Sequence, residues 1–183
     1  MRLIQFGGEL TPVLGGPIQR IDRLGSRFAL DINLPPMRVE PDGRRMIAKL
    51  LRAKQEGARV AVPQVEFDVS APGTPLVDGA VPGGSSLPIK GLTASYAIKE
   101  GQWIAVIHGG RRYVHMVEQQ VIADASGDAT VTITPMLRTS LSDGDTIEIG
   151  KPMIEGWITG NEWAWSLEMA RTVGLSFSVI EIE

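Results

Sequence analysis

Residues 101–150 constrain this chain more than any other stretch, because short β-rich runs there are cut at close intervals by turn signals. The cuts are Gly109-Gly110, Ser126-Gly127 and Asp143-Gly144. Glycine and aspartate at such points supply the positive φ that a tight hairpin needs. Trp103 opens a run to Ile107, and Arg112 opens another to Val117, so the two predict a hairpin around His108-Gly109-Gly110-Arg111. Residues 129–134 alternate strictly, with Val131 and Ile133 on one side and Thr130, Thr132 and Thr134 on the other. Residues 146–149 close the module with Ile147 and Ile149 on one face. Its first strand is expected at residues 92–98, and the second hairpin arm may extend to Ala123. A strand about every ten residues predicts a small antiparallel barrel or sandwich.

The same stretch carries no recognisable chemistry. The whole chain has no cysteine, which excludes disulfides, thiolate catalysis and cysteine zinc sites. It has two histidines, His108 and His115, one at a turn and one in mid-strand, which a converging metal site would not allow. Asp124-Ala-Ser-Gly-Asp128 and Asp143-Gly-Asp145 lack the spacing of a calcium loop and read as turns. Walker, Gly-x-Ser-x-Gly and His-Glu-x-x-His motifs are missing. Glu155, Glu162 and Glu168 are not fixed by spacing at the separation of a glycosidase pair. The net charge of −3 gives no electrostatic hold on nucleic acid or membrane, and no apolar run reaches the length of a membrane span. The expectation is a chain without catalytic residues, cofactor or metal.

The flanks differ from the module. Residues 2–6 predict a strand, and the Gly- and Pro-rich residues 7–26 an ordered arm, lying either on a neighbouring subunit or on its own domain. Phe28, Leu30, Ile32 and Leu34 alternate with polar positions, which predicts a half-buried strand ended by Pro35-Pro36. Residues 43–56 read as the one convincing helix: Asp42 as cap, Met46, Ile47, Leu50 and Leu51 as apolar stripe, Gly57 as C-terminal stop. Its other face carries Arg44, Arg45, Lys49, Arg52 and Lys54, a solvated face or a docking face for an acidic neighbour. Short strands are expected at residues 59–62 and 65–69, then a crossover over residues 70–88. Trp157, Trp163 and Trp165 cluster late in the chain, and Leu175, Phe177 and Val179 mark a final strand. The tryptophans read as core or interface anchors; a sugar-stacking platform of Trp103 or of Trp163 and Trp165 is the sharper alternative.

The order of motifs in residues 88–150 resembles the tail-tip structural proteins of long, flexible, non-contractile-tailed phages and related gene transfer particles, with the distal tail protein the nearest candidate. The residues concerned are Gly101-Gln102-Trp103, Ala123-Asp124-Ala125-Ser126-Gly127, the run from Thr130 to Pro135-Met136-Leu137-Arg138, and Asp143-Gly144-Asp145. Gln102 departs from the aspartate usual at its position. The flanks match in outline only.

The resemblance implies a mainly β protein with one helix, in which a tail-tube-like β-sandwich bears an inserted small antiparallel barrel or sandwich. Residues 1–69 and 151–183 would form the ring domain and residues 70–150 the insert, so that residues 65–69 lie close to residues 153–159. It implies a structural virion protein at the distal end of the tail, made in the host cytoplasm. Six copies would form a ring joining the tail tube to hub, tip or receptor-binding proteins. The partners would be other copies, the tube protein and the hub and tip proteins, with neither membrane nor specific nucleic acid among them. Tryptophan and arginine commonly anchor such contacts, so Arg44, Arg45, Trp157 and Trp163 are assigned to interfaces. The rival readings are a carbohydrate-binding adhesion module and another minor tail or tail-completion protein.

Overall fold

The computed structural model of the protein describes residues 1–13, 15–21, 23–160 and 171–182. In chain order the elements are β1 (Arg2–Ile4), β2 (Gly8–Leu10), β3 (Gln19–Ile21), β4 (Arg27–Arg38), α1 (Arg44–Glu56) and β5 (Ala58–Ala61). There follow β6 (Gly73–Val77), β7 (Gly84–Leu92), β8 (Ala97–Ile98), β9 (Trp103–His108), β10 (Arg111–Val117), β11 (Val121–Ile122), β12 (Ala129–Leu137) and β13 (Thr146–Glu148). The chain ends with β14 (Met153–Ile158) and β15 (Thr172–Glu181). The fold is mainly β with a single helix, as the sequence predicts.

Six of these strands close a barrel in the order β10-β12-β7-β6-β13-β9, and five form an open sheet in the order β1-β4-β15-β14-β5. Every strand of the barrel comes from residues 73–148, and every strand of the sheet from residues 2–61 or 153–181. Gly109 and Gly110, at φ 57° and 79°, make the predicted tight turn between β9 and β10. The barrel interior is filled by Leu87, Ile89, Ile104, Val106, Val131, Ile133 and Ile147, all fully or nearly fully buried. Burial of each such side chain contributes about 1.5–3 kcal/mol.

The second core lies where the barrel meets the sheet. Phe28, Leu30, Leu175, Val179 and Ile154 of the sheet pack with Leu50 of α1 and with Ala105 and Val114 on the outside of the barrel. Trp103 sets its ring edge-on against Phe28, at 4.8 Å between centroids. Helix and barrel hairpin together therefore cover the apolar side of the sheet.

Several local expectations are corrected. Strand β4 does not stop at Pro35-Pro36: it continues to Arg38, and the pairing with β15 shifts register between Leu175 and Val173, so the prolines sit where a bulge relaxes the ladder. Asp42 makes no capping hydrogen bond; the chain enters α1 through a backbone turn in which Arg44 donates to the carbonyls of Val39 and Pro41. Leu51 is exposed, and Ala53 joins the buried stripe in its place. Gly57 ends the helix at φ 89°, its N–H bonded to Ala53. Residues 70–88 are no plain crossover, for they contain β6 and the start of β7; a register shift between Gly73 and Leu76 accommodates Pro75. Residues 93–96 turn, leaving only β8 of the strand expected there, and β10 ends at Val117.

Residues 65–69 form turns, not a strand. The passage between sheet and barrel is made a few residues earlier, where Met153 pairs with Ala61 and the N–H of Val62 donates to Pro152 at 2.9 Å. Val69 packs against the barrel core, and its carbonyl accepts from the Tyr96 hydroxyl at 2.8 Å.

Candidate functional site

Two surfaces and one buried cluster stand out. The first surface is the arm. Strands β2 and β3 pair only with each other, Gly8 opposite Ile21 and Leu10 opposite Gln19. A lone two-stranded hairpin is marginally stable in water. Yet this one exposes Leu10, Val13, Ile18 and Ile21, and Leu24 beyond it is exposed too. Its root is held by Phe6, whose N–H donates to Ser26 Oγ and whose ring carries the Arg27 guanidinium at 4.9 Å. Eight of the twelve exposed large apolar side chains among the described residues lie between Met1 and Leu24. That concentration marks a surface for contact.

The second surface is the far edge of the sheet. Strand β5 pairs with β14 on one side, and no described strand pairs with the other. Trp157 of β14 stands half exposed beside it, its ring near Gly57 at the end of α1. Arg44 and Arg45 start the same helix, ~18 Å away along its axis at 1.5 Å per residue. Arg44 forms a bidentate pair with Glu40 at 2.7 Å, and Arg45 is exposed. The structure thus places Trp157 and the two arginines at opposite ends of one helix. Trp163 lies outside the described residues, as do Trp165, Glu162 and Glu168.

The buried cluster was not singled out from sequence. Strands β10 and β12 pair over Met116↔Thr134 and Val117↔Ile133 only. The next N–H along β10, that of Val114, finds no carbonyl of β12; it donates to Glu181 Oε1 at 2.5 Å. Glu181 closes β15, so a sheet side chain completes the barrel wall. Its Oε2 lies 2.7 Å from Nη2 of Arg138, the residue after β12. Arg138 also donates to the Ile182 carbonyl at 3.2 Å and lies over the Tyr113 ring. Beside this pair, His115 Nδ1 donates across the same gap to the Pro135 carbonyl at 2.8 Å. That bond fixes the tautomer and leaves Nε2 as a bare acceptor, buried and without a hydrogen-bond partner among the described residues.

Burial pushes the Glu181 carboxyl up to about 7, against the opposing pull of Arg138 and of the Val114 and Phe28 N–H donors. Burial pulls the His115 imidazole down to about 4, the Pro135 bond opposing and Arg138 adding to the shift. A readable signal existed for Glu181: it shares parity with Leu175, Phe177 and Val179 on the apolar side of β15. A charge on an apolar parity needs a partner.

Gln102, the departure from aspartate, is likewise buried. Its Oε1 accepts from Lys99 N at 2.9 Å and its Nε2 donates to the Tyr96 hydroxyl at 3.2 Å. Trp103 is committed to packing on Phe28. His108 Nδ1 bonds Asp145 at 2.7 Å, so the two histidines serve different structural bonds. Asp124 accepts from Ser126 and Asp128 N–H groups, and Asp143 from Gly79 N–H and Lys90, which makes both aspartate motifs turn locks. No protein-family model matches the chain, and no curated protein matches it.

Proposed function

We propose that this protein is a non-enzymatic structural component of a viral tail, placed at the distal end, where copies close into a ring joining the tail tube to hub or tip proteins. One observation carries the reading: the sheet has an apolar arm at one edge and an open strand at the other. The arm leaves from β1, and β5 is the opposite edge strand. Laying the arm of one copy on the β5 edge of the next would satisfy unpaired backbone groups and cover the arm's leucine and isoleucines. Such a contact is heterologous, and heterologous contacts build rings when the rotation closes. The tail setting, the sixfold count and the tube and hub partners come from the motif resemblance in residues 88–150.

Sedimentation velocity and negative-stain microscopy test the ring. The full chain is expected to form closed rings of six, and a variant lacking residues 7–21 to remain monomeric while still folded. A full chain that stays monomeric at high concentration and is absent from assembled particles would overturn the reading.

A further inference from the structure

Where β10 and β12 separate, the barrel wall is sealed by side chains in place of backbone. One seal is the Val114 N–H on Glu181, and the other is His115 Nδ1 on the Pro135 carbonyl. The side chains of His115 and Glu181 are both inaccessible to solvent. The charged and titratable groups around them are Arg138 after β12, Arg27 on β4 and Tyr113 on β10.

The chemistry of each position selects one protonation state. A protonated His115 would bury an Nε2–H with no acceptor among the described residues, close to a guanidinium that is itself almost fully buried. An ionised Glu181 must leave water entirely, and its second oxygen gains only the Arg138 contact, with no hydrogen bond. When the seam opens, water reaches both groups and they return to ordinary behaviour.

We propose that Glu181 and His115 form a proton-compensated latch: closing the seam removes a proton from the imidazole and leaves one on the carboxyl, so that closure is nearly proton-neutral. The signs follow from the two environments. Glu181 holds its proton more tightly in the closed seam, so its contribution is full at low pH and is lost as pH rises from about 4.5 to about 7. His115 holds its proton less tightly there, so its contribution is full above about 6.5 and is lost as pH falls towards 4. Between pH 5 and 7 the two losses run in opposite directions. The joint between barrel and sheet keeps one strength across that range, although either group alone would make it pH-sensitive.

Amide exchange at Val114 and urea unfolding, measured on the full chain at pH 5, 6 and 7, test the latch. The wild type is expected to change its opening constant by less than about threefold. Glu181→Gln, which keeps an acceptor oxygen, should open about thirtyfold more readily at pH 5 than at pH 7. His115→Asn, which keeps a donor near the Nδ1 position, should open about thirtyfold more readily at pH 7 than at pH 5. A wild type as steep as either variant, or a variant as flat as the wild type, overturns the proposal. Should a variant not fold, carbon-detected titration of the wild type decides. A Glu181 carboxyl titrating below pH 5, or a His115 ring titrating near 6.5, overturns it.

Discussion

The N–H of Val62 meets the carbonyl of Pro152 at 2.9 Å, so the chain leaves the sheet for the barrel and returns to it at nearly one point. Just beyond, Gln64 ties the two passages together. Its Oε1 accepts from Trp103 N at 3.1 Å, and its Nε2 reaches the Ile149 carbonyl at 3.4 Å.

Replacing Gln64 by alanine removes both bonds and strands the Trp103 N–H at a partly buried site. An unpaired buried donor costs about 1–3 kcal/mol. Urea unfolding of Gln64→Ala should show a loss in that range. No loss would mean that water replaces the glutamine and that the passage needs no clasp.

The barrel's seat on the sheet depends on Trp103 and Phe28. Truncating a packed aromatic costs about 3–5 kcal/mol, and an edge-to-face pair couples by about 0.5–1.5 kcal/mol beyond its area. Trp103→Ala should therefore destabilise by about 3–5 kcal/mol, and a double-mutant cycle with Phe28→Ala should return coupling of about 1 kcal/mol. Strict additivity would show that the two rings do not act together.

The parts legible in sequence are those whose local chemistry decides their structure. Gly109-Gly110 admits the positive φ of a two-residue turn, and β12 alternates without exception from Thr130 to Ile133. The parts misread depend on distant partners. Pro35-Pro36 looked like a stop because a proline breaks a ladder, but the shift opposite Val173–Leu175 removes the demand for that bond. Residues 73–77 and 84–92 looked like linker because Gly, Pro and Ser dominate them, and barrel closure overrides that bias. The Glu181–Val114 bond spans 67 residues, and no local pattern shows that β12 would leave an N–H of β10 unmet.

Two glycines with similar φ should respond very differently to substitution. Gly127, at φ 85°, has no room: a Cβ there would strike the backbone carbonyl of Leu92, whose N–H in turn bonds the Gly127 carbonyl at 3.0 Å. Gly144, at φ 82°, faces open space. Gly144→Ala should cost only the left-handed penalty, about 1–2 kcal/mol. Gly127→Ala adds a forced backbone shift and should exceed about 3 kcal/mol. Equal losses measured by thermal unfolding would refute the steric explanation.

Acid should unfold the protein through its turn locks. Asp124 is held below the usual carboxylate range, first by the Asp128 N–H and then by those of Ser126 and Gly127. Asp143 is held low first by Lys90, then by the Gly79 N–H, and Asp31 first by Arg2, then by Ser178. Lowered folded values mean stability that is present above about pH 4 and lost as pH falls through those values. Melting temperature should thus drop steadily from pH 4.5 to pH 2.5. Asp124→Asn, whose amide oxygen still accepts but carries no charge, should melt lower at pH 6 and show a shallower fall with acid. A melting temperature unchanged down to pH 3 would show that these carboxylates gain nothing from their partners on folding. A shallower fall in Asp124→Asn would assign part of the acid limb to this one loop, well apart from the His115 and Glu181 effects expected between pH 5 and 7.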